Sequence, residues 1–482
     1  MNEFQTIIGL EVHVELLTES KMFCCCSTRF GKEPNTQVCP VCLGLPGALP
    51  VVNEKAIELG IKTAAATNCK INEEFIFVRK SYFYPDLPKN FQISQYREPL
   101  AVNGYLYVNG RKIGITRIHL EEDTGKLLHD EKTGNWSCID FNRSGIPLME
   151  IVTDPEISTP EEAEDFLRQL RQIISYIGVS DCIMEEGSLR CDANISIKKT
   201  TDSQLGTKVE VKNMNSFRSV RRALTFEQER MIEILEKGQN IVQETRLWNE
   251  QMQVTEGMRT KEEAHDYRYF PEPDLLPFRI DAETIKKISL EIGELPDARK
   301  NRFQQNYGLS LYDSEVLTAE KPISDYFEKA VSCYHKPKQI ANLIQTELLG
   351  LLKENHVRIT ECRVKPEFLA SIVKMIDNKE ISSTVGKIVL RETFVSGTDP
   401  EIIVREKNLI QITDTEEIGS IIQEILNEHP QAINDYRAGK VQALGFLVGQ
   451  VMKKSKNKAN PGVVKQILEK KLTDRSNNTE EK

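Results

Sequence analysis

Nothing in these 482 residues forms a glycine-rich phosphate loop: neither a Walker-type G-x-x-x-x-G-K-[ST] nor a G-x-G-x-x-G opening a helix is present. A nucleotide bound here must be held by a sheet and a metal ion, not by a backbone phosphate cradle. A nucleophile elbow and the Ser-Lys and Cys-His hydrolase signatures are missing too, which argues against a covalent hydrolase. No apolar run approaches the roughly 20 residues needed to cross a bilayer. The start of the chain lacks a basic segment followed by an apolar core and a cleavage site, so the expected location is cytoplasmic, with no membrane contact. Acidic residues outnumber basic ones, 72 to 63, and the net charge of −9 argues against a surface coated for indiscriminate nucleic-acid binding. In a reducing cytosol the 11 cysteines are expected as thiols, core residues or metal ligands.

What is present begins with IIGLEVHVELL at residues 7–17. Strand alternation puts Ile8, Leu10, Val12, Val14 and Leu16 on one face and Glu11, His13 and Glu15 on the other. Later runs add to the acidic face. HLEEDTGK offers Glu121, Glu122 and Asp123 at a strand end, and SGIPLMEIVTD sets Glu150 inside an apolar run. Carboxylates from several strands, with the His13 imidazole, make a cage for a hard dication such as magnesium, which keeps waters and substrate phosphates as its remaining ligands. That is the arrangement of a phosphoryl-transfer site. Alternation separates Glu121 from Glu122 unless a bulge intervenes, and residue order alone does not choose among Glu121, Glu122 and Asp123.

Farther along, LRCDANIS and TKVEVKNMNSF supply Arg190, Asp192, Asn194, Lys208, Glu210, Lys212, Asn213 and Asn215 at the approach to a helix. Cations and amides beside a helix N-terminus suit a phosphate and a carboxylate substrate. Arg190, Asp192, Lys212, Asn213 and Asn215 are the expected substrate-binding set, a wet sheet face being the competing explanation. Cys191 reads as a core thiol.

The sharpest spacing lies in KMFCCCSTRFGKEPNTQVCPVCLG, where Cys24 and Cys26 are followed, after twelve residues, by Cys39 and Cys42. Two close thiolate pairs are what a tetrahedral structural zinc requires, and such a closed site staples a loop and does not catalyse. Cys25 should face away from it. Near the other end, residues 451–471 hold seven lysines against the single acid Glu469. Lys453, Lys454, Lys456 and Lys458 are the clearest seat for the phosphates of a polyanion, with a solvated tail as the alternative.

The fold class expected is α+β. Strand-like runs and a few helices alternate up to about residue 290. Thr159, Pro160 and Glu162 mark a helix start with a capping box, and Gly178 marks its end. A second helix carries Phe217, Val220 and Leu224 on one stripe and ends at Gly238. Beyond YRYFPEPDLLPFRI the pattern is helical, with a further boundary near 410. The expected domains are 1–294, with a cysteine knuckle within 24–42, then 295–409 and 410–482.

IGLEVHVELLTESKMFC, CPVCLGLPGALPVVN, YFYPDLPKNFQISQY, HLEEDTGK, MEEGSLRCDANIS, KNMNSF, DYRYFPEPDL and ALGFLVGQVMK occur in this order over nearly the whole chain. Together they resemble the B-subunit family of the bacterial tRNA-dependent amidotransferases (GatCAB). The resemblance implies a ligase that uses ATP to phosphorylate the side-chain carboxylate of misacylated Glu-tRNA(Gln) or Asp-tRNA(Asn), and then lets ammonia displace the phosphate. It implies a heterotrimer, in which a glutaminase partner supplies the ammonia and a small third partner completes the assembly. It also implies a cradle with an antiparallel sheet similar to glutamine synthetase and the guanidino kinases, an all-α domain, and a small helical tail that contacts tRNA. On matching positions it assigns Glu11, His13, Glu122 and Glu150 to catalysis as magnesium ligands, with Glu121 and Asp123 as close alternatives. Zinc on the four cysteines is structural, and some members lack those cysteines. Two other classes compete: an RNA-binding zinc module would leave the acidic strands idle, and a ligase for a free amino acid would leave the helical tail unused.

Overall fold

The computed structural model describes residues 3–129, 136–259, 267–411, 415–455 and 459–474. The chain divides into two compact units, Met1–Pro296 and Asp297–Lys482.

The first unit is built on a nine-stranded sheet. Its spatial order is Val254–Arg259, Thr245–Asn249, Lys208–Met214, Leu189–Lys199, Phe4–Glu15, Pro147–Thr153, Arg111–Glu122, Ala101–Val108 and Lys70–Ile71. The first strand of the chain is thus the central one, antiparallel to Pro147–Thr153 on one side and Leu189–Lys199 on the other. The sheet is mixed, not purely antiparallel as expected: Lys208–Met214 and Thr245–Asn249 run parallel. The cause is the 20-residue helix Phe217–Glu236 between them, since parallel neighbours need a crossover of a dozen or more residues.

Alternation along Phe4–Glu15 decides what each face does. Ile8, Leu10, Val12 and Val14 are all at most 1% exposed and join one core with side chains of helices Glu54–Ala66, Pro160–Tyr176 and Phe217–Glu236. Each such burial is worth about 1.5–3 kcal/mol, so a one-residue slip of this strand would be very costly. The opposite face is left to Glu11, His13 and Glu15.

The helix from Pro160 starts as expected, with Thr159 Oγ1 accepting the amide of Glu162. The expected capping box does not close. The Glu162 carboxylate accepts the Ser158 amide at 2.8 Å, one residue before the cap, and pairs with Arg111 at 2.8 Å. Gly178, at φ +69°, ends the helix in the left-handed region. Phe217, Val220 and Leu224 are buried as a stripe. Outside the large sheet, Glu74–Phe75 pairs with Phe278–Arg279, while Val78–Ser81 pairs with Phe91–Ser94 and Phe270–Pro271.

In the second unit the described residues form helices and no strand. One apolar cluster runs from Phe303 to Val404 and a separate one from Ile418 to Leu472. Among the described residues no helix is long and apolar enough to cross a membrane.

Candidate functional site

The polar face of the central strand lines a cavity of about 720 Å³. Register builds its floor. His13 lies opposite Glu150 on one neighbour and Arg190 on the other, and Glu150 lies opposite His119 on the next strand. His119, Glu121 and Asp123 share a face because they are two residues apart. His13 Nε2 is 3.1 Å from Glu150 Oε2 and 3.8 Å from Glu121 Oε1. His119 Nε2 is 3.4 Å from Glu150 and 3.6 Å from Glu121. Ser94 Oγ donates to Glu121 at 2.9 Å.

His13, Glu121 and Glu150 each offer one ligand atom, all within 4.8 Å of one another. One imidazole and two carboxylates on rigid strands fit a hard dication that keeps water or phosphate in its remaining positions.

Two of the expected ligands lie elsewhere. Glu122 points to the opposite side of its strand, where its carboxylate accepts Lys89 and the Ile93 amide, so alternation without a bulge puts Glu121, not Glu122, beside His13. Glu11 lines the cavity but stands a strand step away from His13, about 7 Å, and accepts Asn194 Nδ2 at 3.0 Å. It is outside the three-residue group. Arg190, Asp192 and Lys212 line the cavity. Arg190 donates to Asp123 at 2.7 Å, and Lys212 pairs with Asp192. Asn213 and Asn215 do not line it. Asn213, at φ +66°, gives its amide to the Trp248 carbonyl at 3.0 Å, and Asn215 Oδ1 accepts Ser219 Oγ at 3.4 Å.

The cavity also holds residues that sequence reasoning missed: Lys80, Tyr82, Arg117, His119 and Tyr269. His119 was signalled by its place two residues before Glu121, the same alternation that relates Glu11 to His13. Lys80 and Tyr82 show the same spacing near a strand end, but which sheet face they reach depends on the turn after Ser81.

Charge compensation here is internal. Burial opposes a charged His13, yet its hydrogen bond and charge interaction with Glu150, aided by Glu121, raise it above the ordinary histidine value. His119 follows the same balance and is pushed up to about 9. Burial works against the charge on Glu150 and Glu121, but His119, joined by His13 at Glu150 and by Lys80 at Glu121, holds both below the usual carboxylate range. Both rings are thus shifted toward the charged form beside these carboxylates. A metal held here would compete with protons, and its affinity would rise with pH.

Glu15 behaves oppositely. Burial, with Asp123 beside it, pushes its carboxyl up to about 8. Between its ordinary value and 8 the folded state binds the extra proton, so stability declines as pH rises through that window. Glu15→Gln should therefore gain stability over the parent chain from about pH 5 to pH 8, by at most about 1.4 kcal/mol per pH unit. Denaturant melts at several pH values check this; a pH-independent difference would contradict it.

Sulfur atoms of Cys24, Cys26, Cys39 and Cys42 also lie within 4.8 Å of one another. Cys25 is exposed and outside the group. The hydrogen bond from Cys24, and then the Cys39 amide and the Lys21 charge, bring Cys42 down to about 4 against the cost of burial. The same contact to Cys42, with burial, pushes Cys24 up. A set already holding one thiolate, with three more sulfurs around it, suits a thiophilic dication.

In the lysine-rich segment Lys453 is exposed. Lys454 is committed to Glu424 at 2.9 Å and Glu428 at 2.7 Å, so its charge is partly cancelled. Lys456 and Lys458 lie outside the described residues.

A family model described as the GatB/GatE catalytic domain matches residues 6–286, the part that carries both the cavity and the cysteine centre. A second, described as the GatB domain, matches residues 325–472. The chain belongs to the GatB/GatE family. It is 54% identical over 481 residues to the B subunit of the aspartyl/glutamyl-tRNA(Asn/Gln) amidotransferase of Carboxydothermus hydrogenoformans, covering 98% of this chain and 99% of that protein. The B subunits of the same name from Moorella thermoacetica and Thermodesulfovibrio yellowstonii are each 52% identical, over 98% of this chain and all of theirs.

Proposed function

We propose that this chain is the kinase and transamidase component of a glutamine-dependent amidotransferase, acting on Glu-tRNA(Gln), Asp-tRNA(Asn) or both. The observation that carries the reading is the cavity in which His13, Glu121 and Glu150 converge among Lys80, Arg117, Arg190 and Lys212. An acidic ligand set ringed by cations suits a substrate that brings both phosphates and a carboxylate.

The chemistry runs in two displacements. A side-chain carboxylate oxygen attacks the γ-phosphorus of ATP, and ADP departs. Ammonia then adds to the acyl carbon, and phosphate leaves with the carboxylate oxygen. His13, Glu121 and Glu150 would hold magnesium, which would neutralise phosphate charge. Arg190 and Lys212 hold the anionic groups, and Asp123 and Asp192 keep those two cations in place. Glu11, beside Asn194, contributes negative charge near Lys212. In this reading ammonia comes from a glutaminase partner, and a small third partner completes a cytoplasmic heterotrimer. The first unit is a cradle of the glutamine synthetase and guanidino kinase plan, and zinc on the four cysteines is structural. Domain limits at 294 and 409 separate that cradle from a helical domain and a tail in which Lys453, with Lys454, Lys456 and Lys458, meets the tRNA backbone.

Supplying free ammonium to the assembled complex removes the glutaminase from the assay. ADP formation should then depend on charged tRNA and be absent with uncharged tRNA or free glutamate. ATP cleavage driven by free glutamate would favour a stand-alone ligase, and no cleavage under any condition would favour a binding module.

A further inference from the structure

Lys21 is completely buried, a rare state for a lysine unless its charge is met. Among the described residues no carboxylate pairs with it. Its ammonium faces the Phe141 carbonyl oxygen at 3.2 Å and Cys42 Sγ at 3.7 Å. The backbone secures this placement. The Lys21 amide donates to the Cys26 carbonyl at 2.9 Å, and the Met22 amide to the Gly145 carbonyl at 2.7 Å. Gly145, at φ +88°, leaves room for the lysine stem: a Cβ there would sit 3.4 Å from both Lys21 Cδ and Cys42 Cβ. The fold thus conducts one aliphatic stem into the cysteine loop and ends it in a positive charge beside sulfur.

Four thiolates around a divalent ion carry two surplus negative charges, and a buried surplus needs a counter-charge. We infer that Lys21 is the resident counter-cation of the four-cysteine centre and sets how tightly that centre holds zinc. The inference rests on the reading that Cys24, Cys26, Cys39 and Cys42 bind zinc. Lys21 touches a ligand sulfur, not the reacting atoms of the cavity, and so is a positioning residue. Partners of this kind shift metal affinity by about 10- to 100-fold when removed.

The test is zinc affinity of the full chain, measured by competition with a chromophoric chelator. Lys21→Gln keeps a donor for both acceptors and removes the charge; Lys21→Met removes both. Each should bind zinc about 10- to 100-fold more weakly. A purely structural role is separated by a cycle with Cys26→His, which lowers the negative charge of the centre by one and leaves the Lys21–Cys42 contact in place. The Lys21→Gln loss should shrink in that background if charge is the cause, and persist unchanged if it is packing. Zinc binding by Lys21→Gln within about two-fold of the parent, or an equal loss in both backgrounds, overturns the inference. If the parent chain itself binds no zinc, the reading of the centre fails first, and that result is distinct.

Discussion

His13→Ala in the assembled complex is expected to reduce amide formation by about 10²- to 10³-fold or more, the scale of losing one preorganised electrostatic contact, while glutamine hydrolysis by the partner stays measurable. The imidazole contributes one of the three ligand atoms that converge within 4.8 Å, and its loss leaves His119 as the imidazole beside both Glu121 and Glu150. Glu121→Gln should behave similarly. Glu122→Gln should not. Its carboxylate serves Lys89 and the Ile93 amide on the far side of the strand, so its removal leaves the half-buried Lys89 without that partner and costs stability, not metal binding. Manganese titration followed by electron paramagnetic resonance separates the cases: binding lost in His13→Ala and Glu121→Gln, retained in Glu122→Gln. The reverse ordering would return the ligand role to Glu122.

Cys39→Ser should abolish stoichiometric zinc, from about one ion per chain to a trace, and lower the melting temperature of the first unit. Structural zinc contributes about 10–16 kcal/mol in small peptide sites, so even a fraction of that value is large beside ordinary domain stability. Cys25→Ser should keep its zinc, because Cys25 is exposed and outside the converging sulfurs. Metal analysis of the purified variants decides; zinc lost from Cys25→Ser and kept by Cys39→Ser would reassign the ligand.

Legibility in the sequence followed the range of the interactions. The central strand could be read because alternation is local: Val12 and His13 take opposite faces whatever the rest of the chain does. The cysteine centre could be read because two short spacings nearly define a tetrahedron. The choice between Glu121 and Glu122 could not be made, since it depends on the register of Arg111–Glu122 against Pro147–Thr153, a contact between distant segments. Asn213 and Asn215 were misplaced for a related reason. The pairing of Leu189–Lys199 with Lys208–Met214 slips between Cys191 and Ala193, and the amide of Asn213 is captured by Trp248, 35 residues on. The parallel strand pair was hidden because a helix between two strands does not announce on which side the chain returns. Lys454 was counted as free charge because Glu424 and Glu428 lie a helix away in sequence and beside it in space.

The central claim is that the side-chain carboxylate is activated by phosphorylation, and the fate of one oxygen atom tests it. Aminoacyl-tRNA carrying ¹⁸O in the side-chain carboxylate is given to the assembled complex with ATP and ammonium, and the inorganic phosphate is examined by mass spectrometry. Passage through an acyl phosphate requires one carboxylate oxygen to leave with the phosphate, so amide and ¹⁸O-labelled phosphate should form in equal amounts. Amide formed alongside unlabelled phosphate would contradict the account.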